Sequence, residues 1–531
     1  MEPANQRAAR KRHDAHKWIE AEHIELKTIF DMGTFEIIDR PDKCDPLPSM
    51  FTYRLKTGDQ GQIIKYKARL CARGDLQLPD EHGDPWAPTS RYSTIRLMIA
   101  LATQLGLELM HWDVRGAYMV ANLDRELYLD LPPGYELPPD KVIRMKKSLY
   151  GLKDAGANFY KLLSNWLQNY GFTAIGADKV TYKMQRGTSV IYITLFVDDG
   201  LCATNDLKFY NEFLKDLESK FELGESGKLT WYLGVSIKQD TKLGFTQLSQ
   251  RQYVLDLLER FNMVGCKTAP TAMQAHLRLS KTDCPPEAER DKKTVEFYNQ
   301  LVGSLQYLSV FTRPDISQAV NQCSRFLANP GPTHIEAAKH ILRYLAGSAD
   351  YALTYTQQPP ELANMLWGAA DSDHAGDPDT RRSTTGYVMM LNGSAISWQS
   401  TRQALVSLSS TEAEFYAASV AGCDVVYLRR LCQDLGFEQA SATPVMEDNV
   451  VCIYLSRNAT MFHKSKHIDV RVYKLREFCN DGPDGEAKVM DLCKVNTADN
   501  PADMFTKALP GPAFAQHRDT VFGMSLRATG G

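Results

Sequence analysis

Apolar positions in the first part of the chain alternate or recur at helical spacing, which predicts a succession of short helices and strands. Residues 15–40 have the periodicity of an amphipathic helix followed by a short strand. Residues 50–75 alternate on both sides of Lys56-Thr57-Gly58-Asp59, as expected of a β-hairpin. Helical spacing then runs from Thr94 to Gly106, where the glycine predicts the end of the helix.

Two of the predicted strands end in carboxylates. The run "LELMHWDV" indicates a strand ending at Asp113, and the β-branched run 190–197, which follows a hairpin turn at Arg186-Gly187, leads into Asp198 and Asp199. An unpaired carboxylate in apolar surroundings is costly, and two neighbouring carboxylates also repel each other. We therefore expect a positive charge beside them, either a basic side chain or a metal ion.

The second half of the chain changes from a helical to an α/β pattern. Residues 250–350 are mainly helical and include a polar, proline-containing linker at 283–293. The pattern beyond Pro359-Pro360 predicts strands near 365–371, 385–391 and 395–398, a helix at 411–435, a strand at 444–448, a helix at 449–457 and a last helix from about 501. This order of elements is typical of an α/β domain.

Composition limits the possible classes of protein. A chain of 531 residues is too long for one core and has room for about three to four domains. The net charge of −3 does not by itself indicate a nucleic-acid partner. No apolar run approaches the ~20 residues of a membrane span, and Met1 leads into charged residues instead of a secretory signal. The 11 cysteines form no C-x-x-C pair, which favours a reducing compartment over a zinc or disulfide framework.

The three carboxylates are more informative together than alone. Paired aspartates after a strand most often form a turn or a helix cap. Asp113, Asp198 and Asp199 converging from two strands, however, match the oxygen-only ligand set of Mg²⁺. Two such ions can activate an attacking oxygen and stabilise a leaving oxygen. The pattern therefore predicts a site that is completed by metal and nucleotide phosphates.

Six segments occur in the order found in copia-type LTR-retrotransposon reverse transcriptases. They are "KARLCARG", "WAPTSRYSTIRLMIALA", "HWDVRGAYMVANLDRELYLDLPPGY", "KKSLYGLKDAGANFY", "LFVDDGL" and "WYLGVSI". The chain resembles this family over nearly its whole length. The resemblance implies an α+β right-hand polymerase, with fingers and palm over residues 15–235, thumb and connection helices over 236–360, and a basic tail over 1–14.

The resemblance also implies roles for residues of the polymerase part. The metal-binding carboxylates would be Asp113, Asp198 and Asp199. Lys67 and Arg69 would hold the incoming triphosphate, and Tyr118 would be the aromatic residue that excludes a ribose 2′-OH. The hairpin that grips the primer end would be Trp231, Tyr232, Leu233 and Gly234. Without the resemblance, Lys67 and Arg69 fit a solvated hairpin face and Tyr118 fits a stacked tyrosine of the core. Residues 231–234 then fit an ordinary packed strand.

The last domain resembles the RNase H domain of the same elements, over residues 361–509, with 510–531 as a C-terminal tail. The segments concerned include "WGAADSDHAGD", "SLSSTEAEFYA", "MEDNVVCIYL", "FHKSKHIDVR" and "NTADNPADMFTKAL". The implied metal ligands are Asp371, Glu414, Asp448 and Asp503. Four carboxylates around two Mg²⁺ suit hydrolysis of the RNA strand of a hybrid, and recognition of the 2′-OH would confine cleavage to RNA.

Each of these four carboxylates has an alternative interpretation. Thr411-x-x-Glu414 has the spacing of a capping box, and Asp448-Asn449 fits a helix N-cap. Asn500, Pro501 and Asp503 fit the start of a helix, and Asp371 fits an ordinary strand end. Two further aspartates compete for places in the ligand set: Asp373 lies on the same strand face as Asp371, and Asp469 is a rival of Asp503.

The chain departs from the family pattern at a few positions. Ala155, Gly156 and Ala157 stand where the family has bulkier residues, and His374 stands where it commonly has tryptophan. Basic residues of the helical region fit either phosphate contacts or, more simply, solvated helix faces; they are Arg313, Arg325, Lys339 and Arg343. The basic start "RAARKRHDAHK" predicts a solvated, partly disordered tail.

The sequence as a whole predicts a reverse transcriptase with an RNase H domain, part of a copia-type Pol polyprotein. Its partners would be an RNA template, a DNA primer, RNA/DNA hybrid and dNTPs, with two Mg²⁺ per active site and Mn²⁺ as a substitute. Two alternatives stay open: a decayed or domesticated fragment that binds nucleic acid without polymerising, and a hybrid nuclease whose polymerase half only binds substrate. The expected location is the cytoplasm, in a virus-like particle, or the nucleus, without a membrane partner.

Overall fold

The computed structural model describes residues 2–57, 63–458, 466–481 and 487–524. In these residues the strands form four β-sheets, and helices pack on and between them, so the protein is of mixed α/β class. The α-helices are Gln6–Arg10, Ala15–Asp31, Tyr92–Leu105, Ala155–Tyr170, Leu207–Lys220, Arg251–Arg260, Lys292–Phe311, Ser317–Ser324, Pro332–Gly347, Ser410–Leu435, Val450–Arg457, Lys466–Cys479 and Gly511–Phe522.

The first sheet contains the predicted hairpin and extends it to five strands. Their order across the sheet is Phe35–Asp39, Lys141–Met145, Tyr128–Asp130, Leu47–Thr57 and Ile63–Ala72. The predicted turn at residues 58–59 lies outside the described residues, but the strands on either side of it pair antiparallel. The predicted amphipathic helix packs against this sheet and buries Trp18, Ala21 and Ile29. The hairpin thus projects Lys67 and Arg69 from a supported strand.

The second sheet is antiparallel and has six strands. Their order is Leu223–Lys228, Glu108–Val114, Asp199–Thr204, Ser189–Phe196, Thr181–Arg186 and Thr173–Ala174. The helix before the second of these strands ends at Leu105 and is capped by Gly106, whose left-handed φ of 64° allows the chain to turn directly into the strand. In this order, the strands that carry Asp113 and Asp199 are direct neighbours and pair antiparallel.

A third sheet joins parts of the chain that are far apart in sequence. Its order is Trp231–Tyr232, Val235–Asp240, Phe245–Ser249 and Leu353–Thr356. The boundary that we drew between residues 235 and 236 therefore falls within a sheet. Strands 235–240 and 245–249 are absent from the sequence prediction, because their polar residues hide the alternation.

The fourth sheet has five strands, in the order Ser394–Arg402, Thr384–Leu391, Trp367–Ser372, Thr443–Glu447 and Met490–Lys494. The first three pair antiparallel and the last two are added in parallel. The strand at 490–494 was not predicted. The predicted last helix from about 501 is wrong in part: Pro501–Phe505 is a short 3₁₀ turn, and the α-helix begins at Gly511. This helix buries Val521 and Phe522, so the predicted tail at 510–531 contains a packed element.

Arg96 joins its own helix to the central helices and to the fourth sheet. It lies on helix Tyr92–Leu105 and is 4% exposed. Its guanidinium donates hydrogen bonds to the carbonyls of Ile396 at 2.7 Å and of Val310 and Phe311 at 2.9 Å. It also lies 3.9 Å from the centre of the Trp398 ring. Because the last carbonyls of helix 292–311 have no partner within the helix, Arg96 stabilises that end of it.

The first residues of the chain are more ordered than the sequence predicts. Residues 6–10 form a helix, and Arg10 donates a hydrogen bond at 2.6 Å to the buried carboxylate of Glu22. Tyr53 and Tyr135 donate to the same carboxylate at 2.5 and 2.8 Å. A carboxylate with three donors can be buried at little net cost. The predicted partial disorder is therefore wrong for residues 6–10, which form a helix, whereas Arg7, Lys11 and His13 are exposed to solvent as predicted.

Replacing Glu22 by alanine is expected to lower the free energy of unfolding by about 3 kcal/mol, because two hydroxyls and a guanidinium lose their acceptor. Urea denaturation followed by tryptophan fluorescence measures the change, and Trp18 lies in the same helix. The matched control is Glu20→Ala, which removes an exposed carboxylate from that helix and should change stability by less than about 0.5 kcal/mol. Equal losses in both variants would contradict the role of the buried network.

No helix within the described ranges combines the length and the apolar character needed to cross a bilayer.

Candidate active sites

The first candidate site lies at the centre of the second sheet, where three aspartates meet. Asp199 is the direct cross-strand partner of Asp113, and the amide of Val114 donates to the carbonyl of Asp198 at 3.1 Å. Val197 has a φ of 60°, a left-handed conformation that is strained for a β-branched residue. This turn presents the two consecutive aspartates beside the third, as the sequence predicts.

A neighbouring strand holds Asp113 in place. The amide of Glu225 donates a short hydrogen bond to the Asp113 carboxylate. A Cβ atom at position 224 would lie 2.5 Å from Asp113 Oδ2, so only glycine allows this close approach of backbone and carboxylate. The Asp113 side chain is thus fixed from outside its own strand.

The electrostatics of the site favour a bound cation. Burial raises the pKa of Asp198. Burial, together with the charges of Asp198 and Asp113, raises the pKa of Asp199 to about 7. Carboxyl groups whose pKa is raised in this way are poorly neutralised by the protein itself, and a divalent cation would stabilise their charged forms.

Two basic side chains face the aspartates across a cavity of about 460 Å³. Lys67 and Arg69, from the hairpin of the first sheet, line its opposite wall. The Arg69 guanidinium lies 5.0 Å from the centre of the Tyr150 ring, and its Nε is buried without a hydrogen-bond acceptor among the described residues. Carboxylates on one wall and cations on the other suit a polyanionic ligand that brings divalent metal with it.

The second candidate site lies at the edge of the fourth sheet. Asp371 is near the end of strand 367–372, Glu414 is in the second turn of helix 410–435, and Asp448 follows strand 443–447. Each offers a carboxylate oxygen, and these oxygens lie within 4.8 Å of one another. Parallel neighbouring strands end at the same edge of a sheet, which is why residues so far apart in sequence converge.

Asp503 lies near Asp371, outside the group of three carboxylates. Lys507 joins the two, with its ammonium 3.0 Å from Asp503 and 3.9 Å from Asp371. Thr506 donates a short hydrogen bond to Asp371. The structure therefore brings three of the four predicted carboxylates into one cluster and places the fourth beside it, bridged by a lysine that the sequence analysis did not select.

Three carboxyl groups at this second site, those of Asp371, Glu414 and Glu447, have raised pKa values. Burial raises the pKa of both Asp371 and Glu414, and the neighbouring acidic groups raise each further. Glu447, which the sequence analysis also missed, is fully buried beside them, and burial raises its pKa as well. In the described part of the chain, one carboxylate oxygen each of Glu414, Glu447 and Asp503 is buried without a hydrogen-bond donor. This donor set fits a hard divalent cation.

Comparison with known proteins places both sites in context. Residues 32–275 match the family model described as reverse transcriptase (RNA-dependent DNA polymerase). The chain is 35% identical over 513 residues to the retrovirus-related Pol polyprotein from transposon TNT 1-94 of Nicotiana tabacum, covering 96% of this chain and 38% of that protein. The chain belongs to the copia-type LTR-retrotransposon Pol family.

Two further relatives extend this result. The Pol polyprotein from transposon RE1 of Arabidopsis thaliana is 32% identical over 94% of this chain and 33% of its own length. The Ty1-DR5 Gag-Pol polyprotein of Saccharomyces cerevisiae is 26% identical over 94% of this chain and 28% of its own length. The chain thus spans about a third of these curated relatives.

Solved structures also resemble part of the chain. LC11-RNase H1, isolated from compost by a metagenomic approach, and RNase H1 of Halobacterium salinarum each have 15% sequence identity and cover 27% of this chain, with TM-scores of 0.21 and 0.20. The matched regions make up 93% and 94% of these two RNase H chains. Likenesses of this size decide neither the fold nor the function of the last domain.

Other predicted residues of this Pol chain lie around the first cavity. Trp231, Tyr232, Leu233 and Gly234 line it. The Tyr232 hydroxyl donates to the carbonyl of Asp199 at 3.3 Å, and Tyr307, from helix 292–311, donates to the carbonyl of Leu233. Trp231 is 51% exposed. The hairpin is thus tied to the aspartate turn on one side and to the central helices on the other.

Tyr118 lies next to this cavity and not in its wall. It lines a separate cavity of about 80 Å³ together with Gly156 and Val197. Its ring meets that of Tyr150 edge to face, with centroids 5.2 Å apart. Tyr150 therefore connects Tyr118 with Arg69, a role that the sequence analysis missed although the segment "SLYGLKD" belongs to the family pattern.

Several alternatives for the last domain of this Pol chain are settled by the structure. The predicted capping box at Thr411 and Glu414 is wrong, because Ser409 is the N-cap and its side chain accepts from the amide of Glu412. Asn449, and not Asp448, caps the next helix. Asp373 accepts from the amide of Thr384 outside the three-carboxylate cluster. The side chain of Asp469 lies outside the described residues.

The basic residues of the central helices are mostly engaged by the protein itself. Arg313 is 1% exposed and donates two hydrogen bonds to Asp315, so both a phosphate contact and a solvated face are wrong for it. Arg325 lies 3.6 Å from Asp377, and Arg343 lies 2.5 Å from Glu336. The Lys339 ammonium lies 5.9 Å from the centre of the Phe297 ring.

Proposed function

We propose that this Pol chain is an RNA-directed DNA polymerase that also cleaves the RNA strand of its hybrid product. The observation that supports the polymerase most directly is the arrangement of Asp113, Asp198 and Asp199 opposite Lys67 and Arg69 in one cavity. It lies within the residues that match the reverse transcriptase family. In this proposal the first sheet is the fingers, the second sheet the palm, and the helices after residue 250 the thumb and connection.

The residues of the first cavity have distinct roles in nucleotidyl transfer. Asp113, Asp198 and Asp199 would hold two Mg²⁺, which when bound help to activate the primer 3′-OH and stabilise the leaving pyrophosphate. Lys67 and Arg69 neutralise the triphosphate of the incoming dNTP. These charges lie on different sheets, so the nucleotide fits between rigid walls.

Two groups of residues position the other reactants. Tyr118, which packs edge to face against Tyr150 next to the cavity, would limit the space at the sugar of the incoming nucleotide through that contact and so disfavour a 2′-OH. The segment from Trp231 to Gly234 holds the primer end, because it lines the cavity and contacts Asp199.

The second site is assigned to hydrolysis of the RNA strand. Asp371, Glu414 and Asp448 would hold a divalent cation, and Asp503 would complete the set from beside Asp371. Lys507 stabilises the charges of Asp371 and Asp503 while the site is free of substrate. The cluster of three carboxylates, two of them buried, supports this assignment. One oxygen of Glu414 in the cluster, and one each of the neighbouring Glu447 and Asp503, is buried without a donor among the described residues.

Primer extension by the purified chain tests the proposal. With an RNA template, an annealed DNA primer, dNTPs and Mg²⁺, we expect template-length DNA and shortened RNA in the same reaction. A folded protein that binds the hybrid but neither extends the primer nor cuts the RNA would overturn the proposal and favour a nucleic-acid-binding relic. Cleavage without extension would instead favour a hybrid nuclease whose polymerase half only binds.

A further inference from the structure

The hairpin at the edge of the third sheet contains a turn that its own sequence does not favour. Tyr232 pairs with Val235, and the two residues between them form the turn. Both have positive φ, 48° for Leu233 and 75° for Gly234. Positive φ at both central residues is typical of the type I′ turn, in which asparagine followed by glycine is favoured and leucine is strained. Such a turn persists only where the surrounding structure supports it.

Tyr307, on helix Lys292–Phe311, supports this turn. Its hydroxyl donates a hydrogen bond to the carbonyl of Leu233. The hydrogen bond within a β-turn joins the two flanking residues, so the carbonyl of a central residue needs a partner from elsewhere. A Cβ atom at position 234 would overlap the same hydroxyl, and glycine therefore allows the tyrosine to approach the backbone this closely. The hydroxyl and the turn are thus complementary at two adjacent residues.

Tyr307 is itself held in place by other parts of the protein. Its ring meets that of Tyr253 edge to face, with centroids 5.0 Å apart. Near the end of its helix, Trp398 donates a hydrogen bond at 2.8 Å to the carbonyl of Ser309, and Arg96 donates to the last two carbonyls. Burial raises the pKa of Tyr307 to about 12, so its hydroxyl is a donor at neutral pH. The hydroxyl therefore reaches the hairpin from a support that is built of protein contacts alone.

We propose that Tyr307 is a positioning residue for the primer end, which it holds in place through the turn at Leu233 and Gly234. This turn lines the first cavity, and the adjacent Tyr232 hydroxyl donates at 3.3 Å to the carbonyl of Asp199. The two tyrosines together fix the distance between the hairpin and the aspartates. Because small displacements of reacting atoms lower a rate steeply, this fixed distance keeps the primer 3′-OH in the reacting position. The inference rests on the proposed function, to which it adds the residue that positions the primer hairpin.

Tyr307→Phe tests the inference because it removes only the hydroxyl. In single-nucleotide incorporation on an RNA template, we expect the maximal rate to fall about tenfold, while the KM for the dNTP and the rate of RNA cleavage change less than about twofold. A general loss of stability would instead lower both activities. The matched control is Tyr253→Phe, whose hydroxyl donates at 3.5 Å to the carbonyl of Ser304 and not to the hairpin, and it should leave the rate unchanged.

Leu233→Asn provides a rescue that packing of the Tyr307 ring cannot explain. Asparagine before Gly234 favours the turn by itself, so the hydrogen bond from Tyr307 matters less in this background. We expect Tyr307→Phe to cost about tenfold in rate in the wild-type background and less than about twofold beside Leu233→Asn. An equal cost in both backgrounds would overturn the proposed action through the turn.

The fluorescence of 2-aminopurine as the terminal base of the primer reports the position of the primer end without catalysis. On an RNA template, with EDTA and without dNTPs, the Tyr307→Phe complex should be roughly twofold brighter than the wild-type complex, because a terminal base that is held less firmly is less stacked. Equal fluorescence would overturn the proposal. A wild-type chain that never extends the primer would refute the proposed polymerase activity instead, and the fluorescence would still test Tyr307.

Discussion

Asp198→Asn is expected to reduce DNA synthesis by about 10³-fold or more while RNA-strand cleavage stays near the wild-type rate. The substitution keeps the size of the side chain and removes one of three converging negative charges. A metal bound by fewer carboxylates stabilises the transition state less, and a loss of about 4 kcal/mol corresponds to that rate change. Single-nucleotide incorporation on an RNA template measures synthesis, and cleavage of a pre-formed hybrid measures the second activity.

This variant should also fold normally. Burial and the neighbouring carboxylates already raise the pKa of Asp199, so removing the charge of Asp198 relieves repulsion inside the cavity. The matched control is Asp256→Asn, which neutralises an exposed aspartate on helix 251–260 and should leave synthesis unchanged. Loss of both activities in a folded Asp198→Asn protein would count against two separate active sites.

Glu414→Gln is expected to give the opposite pattern, abolishing RNA cleavage and leaving primer extension intact. Glu414 is 6% exposed, and its oxygen lies within 4.8 Å of the oxygens of Asp371 and Asp448. The loss in cleavage should again be about 10³-fold, because a neutral amide is a much weaker ligand for a hard cation.

A second measurement separates metal binding from catalysis. In EDTA the variant should unfold about 2 °C higher than the wild type, since one of several mutually repelling buried carboxylates has become neutral. Adding Mg²⁺ should raise the unfolding temperature of the wild type more than that of the variant. The control is Glu438→Gln, an exposed glutamate beyond the same helix. A larger Mg²⁺ effect in Glu414→Gln than in the wild type would contradict its role as a ligand.

Elements with strong periodicity were predicted correctly from the sequence, and elements that depend on distant partners were not. The helix ending at Gly106 and the strand that leads to Asp198 have local signals, a left-handed glycine cap and a β-branched run. Strand 490–494 has little signal of its own, because its pairing with strand 443–447 supplies most of its stability. The helix at 6–10 likewise depends on Glu22, twelve residues beyond Arg10.

The candidate sites follow the same division. The family pattern selected the seven carboxylates, and the structure brings six of them into two clusters with Asp503 beside the second. The sequence analysis missed Tyr150, Glu447 and Lys507, whose importance lies in what they contact. Arg313 shows the converse, since a charged residue on a helical pattern turned out to be buried against Asp315.

The sequence by itself therefore determined the family, the order of elements and the identity of the acidic residues, because these are written in local pattern and motif. Only the tertiary structure decided which charges face each other, which oxygens lack donors, and where clefts open between distant segments. The physical reason is that burial and electrostatics depend on the distance between residues in space, which chain separation does not specify. Asp371 and Asp448 are the clearest case, since 77 positions separate two residues whose carboxylate oxygens lie within 4.8 Å of each other.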